Sequence, residues 1–269
     1  MGSLNKPWHN QLLTELAAAG LSSEIFPNEH FELLSLHEGK VVLNLMSLNH
    51  PKLPEELVQL QTEHKLKNVQ VIHLWEDVWL NRKEQVLSRL KSIIGLNLKI
   101  HARKTEVIRL SQKEANEFLS INHLQLSVGA RYRYGLAIDN KLVAVACFSG
   151  LRKMHNGIIN YRSTELIRFA NLLETTVIGG FTKLLSHFIK HHQPNDVMSY
   201  ADRDWSIGSA YERAGFTLVE TTTPAAILLD KTTSIRTFPH RLGDISTRDQ
   251  YLDIFNTGNL KYILYCEKP

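Results

Sequence analysis

The sequence predicts an α/β (α+β) protein built from two successive domains, residues 1–107 and residues 108–269. Three observations predict this class. Segments with the alternation of a strand and segments with the spacing of a helix follow one another along the chain. Turn signals separate several strands, as at Glu38-Gly39 and Asp139-Asn140. The 269 residues are 43% hydrophobic and 22% charged, which is enough to bury a core without disulfides.

The first domain begins with a helix that ends at Gly20, because glycine commonly follows the last helical turn. A hairpin comes next, with its turn at Glu38-Gly39. The predicted elements are, in chain order, a helix at 8–20, strands at 31–37 and 40–46, a helix at 54–65, a strand at 69–75 and a basic helix at 81–93.

In the second domain, Ser111 and Glu114 have the spacing of a capping box and start a helix. Pro194 ends a later helix, because proline cannot continue one. The other predicted elements are a strand at 99–110, a hairpin of strands 131–139 and 142–150, a strand at 165–171, a helix at 181–192, a strand at 197–202, a short helix at 206–214, a strand at 216–221 and a terminal strand from Leu260.

Charge and cysteine usage narrow the class of protein. The chain carries a net charge of +4, and residues 81–110 alone carry +6, from eight Lys and Arg against two Glu. This excess of positive charge permits an anionic partner without requiring one. Cys147 and Cys266 are the only cysteines and show no zinc-ligand spacing, so we expect a reducing, cytoplasmic location. No apolar run reaches the length of a membrane span, so no membrane partner is expected.

A glycine turn at Gly179-Gly180 lies between a predicted strand and a helix. The unpaired N–H groups at such a helix start suit a phosphate or pyrophosphate. Thr182 could add a hydroxyl and Lys183 a cation to such a site. The alternative is an ordinary turn.

Two titratable side chains follow in the segment SYADRDWSIGSAYERAGF. Asp202 ends a predicted strand and could orient an amine or act as a base, while Tyr211 could act as a general acid. The alternative is structural: Asp202 caps a helix, and Tyr211 and Phe216 fill the core.

The order hairpin, strand, glycine turn, helix, strand and helix, ending in YERAGF, resembles the GNAT acyl-CoA N-acyltransferases. The segments ELIR (165–168) and YAD (200–202), with Gly208, Tyr211, Ala214 and Phe216, resemble the Mom DNA-modification type within that family. The resemblance implies acetyl-CoA or another acyl-CoA as cofactor and catalytic roles for Asp202 and Tyr211. The implied pyrophosphate loop consists of Ile178, Gly179, Gly180, Phe181, Thr182 and Lys183. Thr175 and Ile178 depart from the usual loop pattern.

The whole chain also resembles phage and mobile-element proteins that join a very-short-patch-repair-like nuclease domain of the PD-(D/E)XK type to a GNAT-like domain. VIHLWEDVW (71–79) and KIHARKTEV (99–107) are among the matching stretches. The strand KVVLNLM lacks the carboxylates that hold Mg²⁺ in such nucleases, and only Glu76 and Asp77 remain nearby. The first domain is therefore expected to be a degenerate nuclease relative.

The resemblance implies DNA or RNA as a partner. His123, in the segment NHLQ, resembles part of an HxQG segment of the relatives and could face the acceptor, although a satisfied, half-buried histidine is the alternative. Basic segments can contact phosphates, but they are also common on solvated helix faces. The predicted nucleic-acid contacts are Arg82, Lys83, Arg89, Lys91, Arg103, Lys104, Arg131 and Arg133.

The expected function is acyl-CoA-dependent N-acylation of an amine on a nucleic acid or nucleobase, with nuclease activity lost. The alternative is a non-catalytic DNA- or RNA-binding protein that retains both folds. The sequence gives neither the acyl group nor the oligomeric state.

Overall fold

The computed structural model describes residues 4, 6–154, 160–242 and 248–266, which divide into two compact units. Unit 1 comprises Met1–Lys83, Ala201–Ile207 and Thr221–Leu260. Unit 2 comprises the rest: Glu84–Tyr200, Gly208–Glu220 and Lys261–Pro269. The chain therefore passes between the two units several times, whereas the sequence predicts a single boundary after residue 107.

Helices and strands alternate along the chain. The helices are α1 (Pro7–Ala18), α2 (Pro54–Lys65), α3 (Glu76–Ile93), α4 (Gln112–Asn122), α5 (Gly180–His192) and α6 (Ser209–Arg213). The strands are β1 (Ser23–Phe26), β2 (Leu33–Leu36), β3 (Val41–Met46), β4 (Gln70–Trp75), β5 (Leu98–His101), β6 (Glu106–Arg109), β7 (Tyr132–Ile138), β8 (Lys141–Phe148), β9 (Arg152–Lys153), β10 (Arg162–Asn171), β11 (Thr175–Ile178), β12 (Asp196–Asp202), β13 (Thr217–Thr221), β14 (Ala225–Asp230), β15 (Arg236–Thr237), β16 (Tyr251–Asn256) and β17 (Asn259–Tyr265).

Unit 1 contains a four-stranded sheet in the order β1-β2-β3-β4 and a three-stranded sheet in the order β15-β14-β16. Strands β3 and β4 are parallel, from Val41 opposite Gln70 to Met46 opposite Trp75. Every residue of β3 is buried, as expected for a central strand covered on both faces. The core that connects the two sheets is formed by Met46, Leu57, Trp75, Ile227, Leu229 and Ile254.

Unit 2 holds most of a larger mixed sheet in the order β13-β17-β12-β10-β8-β7-β6, with β9 paired to β10. Helix α4 packs on this sheet through Phe118 and Leu119, which form one core with Val145 and Cys147. Helix α5 packs on the sheet through Phe188, whose ring stacks on that of Phe148 in β8 at a centroid distance of 4.0 Å. A separate two-stranded parallel sheet joins β5 and β11.

The structure confirms the α/β class and most predicted elements. The strand predicted at 99–110 is instead broken by a 3-10 turn, Ala102–Lys104. The basic helix begins at Glu76 rather than at residue 81 and is kinked at Arg82, where φ is −139° and ψ is 34°. No helix in the described part of the chain is long and apolar enough to cross a membrane.

Candidate functional site

The central strands of unit 2 pair briefly and then part. Strands β10 and β12 run parallel, with Ser163 opposite Asp196 and Glu165 opposite Met198. Their ladder stops after this last pair, although β10 continues to Asn171 and β12 to Asp202. On its other side β10 pairs with β8 and shifts register between Leu166 and Arg168. A bulge of this kind bends a strand, so β10 turns away where the fork opens.

The hydroxyl of Ser199 lies at this fork. Ser199 Oγ donates a hydrogen bond of 2.8 Å to the carbonyl oxygen of Leu166, across the first position where the ladder is missing. The same Oγ lies 3.0 Å from the hydroxyl of Tyr211. Ser199 is only 2% exposed, so it fixes the position of the Tyr211 hydroxyl from the interior of the sheet.

Aromatic rings hold Tyr211 in place. Its ring stacks on Tyr262 at 5.2 Å and meets Phe181 and Phe216 edge-on at 5.6 and 5.4 Å. Burial raises the pKa of Tyr211, and the hydrogen bond with Ser199 and the charges of two arginines only partly oppose this effect. Tyr211 therefore keeps its proton at neutral pH, as a general acid must.

The two arginines near Tyr211 are Arg89 of α3 and Arg168 of β10. Arg168 donates to the carbonyl oxygens of Ile167, at 2.8 Å, and Leu126, at 3.4 Å. The second bond places the loop after α4 beside the part of β10 that lies beyond the fork. Positive charge near the hydroxyl stabilises an anion that forms there.

The aromatic packing requires a glycine. Gly208 precedes α6 with φ of +84°, and a Cβ at this position would lie 1.8 Å from the hydroxyl oxygen of Tyr262. That hydroxyl donates to Glu212 at 3.0 Å. The close approach lets Tyr262 reach under α6 and support the ring of Tyr211.

His123 lies in the loop that Arg168 contacts. It follows the last turn of α4, and its Nδ1 accepts a 2.9 Å hydrogen bond from the N–H of Gln125. The histidine is half-buried and shapes its own turn. The structure thus places His123 in the same unit as Tyr211, while its predicted catalytic role stays a prediction.

The glycine turn opens α5 as predicted. Gly179 adopts φ of +75°, and a Cβ on Gly180 would lie 2.9 Å from the side chain of Val177, so both positions favour glycine. The first N–H groups of the helix have no intrahelical acceptor, because the helix begins there. Ile178 is exposed beside them, whereas the ring of Phe181 lies with Phe169 and Tyr211.

The polar side chains at the glycine turn form hydrogen bonds to other groups of the protein. Lys183 Nζ donates to the carbonyl oxygens of Ala102, at 2.8 Å, and Thr105, and it lies 3.4 Å from Thr105 Oγ1. These three acceptors use all three protons of the ammonium. Thr182 Oγ1 donates to the carbonyl of Gly179 at 3.0 Å. Any anion at this turn is therefore met by backbone N–H groups rather than by Lys183.

Asp202 ends β12, as predicted, and is counted with unit 1. Its Oδ1 accepts a 3.0 Å hydrogen bond from the N–H of Asp204, and its carbonyl oxygen accepts from Trp205 and Ser206. These short-range hydrogen bonds stabilise the turn that follows β12. A role for Asp202 with an acceptor amine remains a prediction.

Three of the predicted nucleic-acid contacts are already occupied by protein groups. Lys83 pairs with Glu15 at 2.8 Å, and Lys91 pairs with Glu174 at 2.6 Å. Arg133 donates to the carbonyl oxygen of Leu110 at 3.2 Å, and it also bonds Gln112 and the carbonyl of Ala130.

The remaining predicted contacts differ in exposure. Arg103, Lys104 and Arg131 are exposed and carry no ion pair among the described residues. Arg89 is exposed, whereas Arg82 is half-buried at the kink of α3.

The tyrosines that alternate with Arg131 and Arg133 pack inward. The ring of Tyr132 lies 4.1 Å from that of His192, and the Tyr134 hydroxyl lies 2.7 Å from His192 Nε2. Both rings therefore cover the end of α5.

Glu76 and Asp77, the two carboxylates near the predicted nuclease strand, have different hydrogen-bond partners in unit 1. Asp77 accepts two hydrogen bonds of 2.7 Å from Arg236 and is 5% exposed, so it serves as a buried ion-pair partner. Glu76 Oε2 accepts from the N–H of Leu48 at 3.1 Å. No cluster of three or more metal-ligating side chains occurs in residues 4, 6–154, 160–242 and 248–266.

Sequence reasoning did not assign a role to Ser199 or Arg168, although both lie in segments that it singled out. The two-residue period of the predicted strand is the signal that could have identified Ser199, because it places Ser199 on the same face as Val197 and Ala201, and the structure buries all three. The bulge that brings Arg168 near Tyr211 has no such signal.

No protein-family model and no curated protein sequence matches the chain. Solved GNAT structures resemble part of it. A GNAT family acetyltransferase from Elizabethkingia anophelis, with acetyl-CoA bound, is 10% identical over 61% of this chain and 99% of its own, with a TM-score of 0.35. An acetyltransferase from Bacillus subtilis in complex with CoA is 14% identical over 61% and 100%, with a TM-score of 0.37. A ribosomal-protein alanine N-acetyltransferase from Escherichia coli is 15% identical over 61% and 96%, with a TM-score of 0.39.

These similarities concern the GNAT part of the predicted resemblance. The Mom-type and nuclease-like parts stay predictions. At such identities and TM-scores, the chemistry of the chain rests on its own residues.

Proposed function

We propose that this protein is an acyl-CoA-dependent N-acyltransferase. One observation carries the proposal: β10 and β12 pair for three residues and then part, and the hydroxyl of Tyr211 is held at the fork by Ser199. An opening between parallel strands leaves backbone N–H and C=O groups free to pair with an extended, amide-bearing ligand. A phenol at the start of that opening can deliver a proton inside it.

The proposed role of Tyr211 follows from the needs of the reaction. Transfer of an acyl group from a thioester to an amine releases a thiolate, which needs a proton. Burial keeps the pKa of Tyr211 above its ordinary value, so the hydroxyl retains its proton until the chemistry demands it. Arg89 and Arg168 favour negative charge near the same hydroxyl.

The residues fit such a carrier at two places. Acyl-CoA, when bound, supplies the acyl group as a thioester. The unpaired halves of β10 and β12 offer backbone hydrogen bonds to its amide-containing arm. The N–H groups of Gly180, Phe181 and Thr182 at the start of α5 suit its phosphates. Lys183 adds no direct contact, because its protons are already used within the protein.

For the acceptor, we propose an amine or amide nitrogen of a nucleic acid or nucleobase. The support is the positive charge of the chain, +4, and the exposed Arg103, Lys104 and Arg131 of unit 2. Exposed cations of this kind neutralise phosphates and make binding salt-dependent. His123 is the residue of unit 2 that is proposed to meet the acceptor.

Isothermal calorimetry with acetyl-CoA tests the carrier. We expect saturable binding by the wild-type protein and unchanged binding by a Tyr211→Phe variant. A bulky Ser199→Phe variant should block the fork and abolish binding, while circular dichroism checks that it folds. Absence of heat and of any thermal shift with wild-type protein at millimolar acetyl-CoA would contradict the proposal.

Incubation with labelled acetyl-CoA and either DNA, RNA or free nucleosides tests the acceptor. Mass spectrometry of the digested products should show an acetylated nucleoside in at least one reaction. Acetyl-CoA binding without nucleoside acetylation would leave the acyltransferase proposal standing and remove the nucleic-acid acceptor.

The second candidate is a non-catalytic nucleic-acid-binding protein. The ammonium of Lys183 donates to carbonyl oxygens of the protein, those of Ala102 and Thr105. This observation favours a binding protein over an enzyme with a complete pyrophosphate loop. This candidate predicts salt-dependent DNA or RNA binding that is lost in an Arg103→Ala/Lys104→Ala double variant, together with no acetyl-CoA binding.

A further inference from the structure

We propose that unit 1 contains a separate binding site for a small organic cation, of the primary-amine class. The site is a cavity of about 630 Å³. Its walls come from the start of α1, from Ser47 and Asn49 directly after β3, and from Glu76 and Leu80 in the first turns of α3. The inference is independent of the acyltransferase proposal.

The location follows from the sheet. Because β3 and β4 are parallel, their carboxyl ends meet at one edge, and the residues that follow them line the cavity. In open α/β sheets, ligands bind at the carboxyl ends of parallel strands, and β3 and β4 form the parallel pair of this otherwise antiparallel sheet. The volume also falls within the range of about 300–1,000 Å³ that is typical of small-molecule sites.

The wall formed by α1 is fixed by hydrogen bonds. Lys6 Nζ donates to Ser47 Oγ at 2.6 Å, and Trp8 Nε1 lies 3.4 Å from the same oxygen. Trp79 Nε1 donates to Gln11 Oε1 at 3.1 Å, which leaves the amide N–H groups of Gln11 for other partners. These hydrogen bonds fix the positions of polar side chains along this wall.

The charges that line the cavity select the ligand. Lys6 Nζ lies 3.4 Å from Glu32, so its charge is balanced. Glu76 accepts one backbone hydrogen bond from Leu48 and forms no ion pair in the described part of the chain. Its neighbour Asp77, by contrast, is neutralised by Arg236. Glu76 is therefore the uncompensated charge of the cavity and calls for a cation.

The rest of the wall indicates what accompanies that cation. Leu80 is 56% exposed beside Glu76, and Pro7 lies on the opposite helix. An alkyl chain that packs against Leu80 while its ammonium reaches Glu76 would satisfy both features. The amide of Asn49 offers one more hydrogen bond to the ammonium.

Binding of n-pentylamine to the full-length protein, followed by calorimetry and by NMR chemical shifts, tests the proposal. Pentanol and glutarate serve as neutral and anionic probes of similar length. We expect the amine to bind at millimolar concentration or better, and both other probes to bind at least tenfold more weakly.

The Glu76→Gln variant should lower amine affinity about tenfold or more, because a charge-assisted hydrogen bond is replaced by a neutral one. Glutamine keeps an oxygen for the N–H of Leu48, so the fold should be unchanged. Glu55→Gln is the matched control, since Glu55 also lies in the first turn of a helix and is exposed. Tyr211→Phe should leave amine binding intact, which separates this site from the proposed acyltransferase site. Equal affinity in wild type and Glu76→Gln, or equal binding of pentanol, would overturn the proposal.

Discussion

The hydroxyl of Tyr211 lies 3.0 Å from Oγ of Ser199, at the position where β10 and β12 stop pairing. One buried serine thus connects a backbone carbonyl at the fork to a phenol held among aromatic rings. Because the serine is almost inaccessible to water, the phenol is oriented by the protein before any ligand arrives. Preorganisation of this kind is what makes a proton donor effective.

Replacing Tyr211 with phenylalanine should lower the turnover rate with acetyl-CoA by about 10²–10⁴-fold, because the proposed proton donor is lost while the ring stays packed. Burial raises the pKa of Tyr211, so the protonated form persists to higher pH. The wild-type rate should therefore show no loss from tyrosine ionisation up to about pH 10, the ordinary tyrosine value. Steady-state kinetics across pH measure both effects. Tyr262→Phe, which keeps the stacked ring, is the control, and a fully active Tyr211→Phe enzyme would remove the proton-donor role.

Replacing Ser199 with alanine should reduce turnover less than the tyrosine variant does, while the affinity for acetyl-CoA stays within about twofold. The tyrosine then keeps its proton but loses its orienting partner. The free energy of unfolding should fall by about 1–3 kcal/mol, because the Leu166 carbonyl loses its hydrogen bond. Urea unfolding and separate determination of kcat and KM measure these effects. A loss of stability with unchanged kcat would show that Ser199 is only structural.

Replacing Gly208 with alanine should destabilise the protein by more than about 3 kcal/mol, since a Cβ there would overlap the hydroxyl of Tyr262. The rigid ring of Tyr262 cannot move aside as the end of a flexible side chain could. Gly95→Ala is the matched control. Gly95 has a similar φ of +81°, but its Cβ would meet open space, so only backbone strain of about 1 kcal/mol should remain. Urea titration compares the two. Equal losses would mean that the close approach to Tyr262 costs nothing.

Unit 1 should become less stable in mild acid because of His9. Burial, together with the nearby Lys6 ammonium, lowers the pKa of His9 to about 4. The unfolded chain binds a proton near pH 6.5, so stability is complete above that pH and is lost as pH falls from 6.5 towards 4. At pH 5 the loss should reach about 2 kcal/mol from this residue.

The His9→Leu variant measures this effect, because it removes the titrating ring from a site where both ring nitrogens lack hydrogen bonds. Its free energy of unfolding should change less between pH 7.5 and pH 5 than that of wild type. His101→Gln, at an exposed position, should behave as wild type does. His73, whose pKa burial lowers to about 3, adds an acid loss that both variants retain. An unchanged pH dependence in His9→Leu would refute this prediction.

Local patterns were enough to predict much of the fold. The capping box at Ser111 and Glu114 forms as expected, and Asp139 and Asn140 both adopt positive φ in the hairpin turn. These features depend on neighbouring residues only. The break at Ala102–Lys104 was missed, since it follows from β5 pairing with β11, a partner more than seventy residues away.

The site was predicted unevenly for the same reason. Tyr211 and the glycine turn are found through short motifs. The hydrogen bonds of the Lys183 ammonium, by contrast, depend on Thr105, which is far away in the sequence. The basic segment illustrates the limit most clearly. Its charge suggests a polyanion contact, but the pairing of Lys91 with Glu174 becomes visible only in three dimensions.

The interleaving of the two units bears on how the protein emerges from the ribosome. Unit 1 needs Thr221–Leu260, which supplies Arg236 for Asp77 and the strands that cover Trp75. Its first eighty residues therefore keep that carboxylate and apolar face uncovered until Thr221–Leu260 has been synthesised. Nascent chains in this condition are prone to misassembly, so production at low temperature or with added chaperones should raise the yield of native protein.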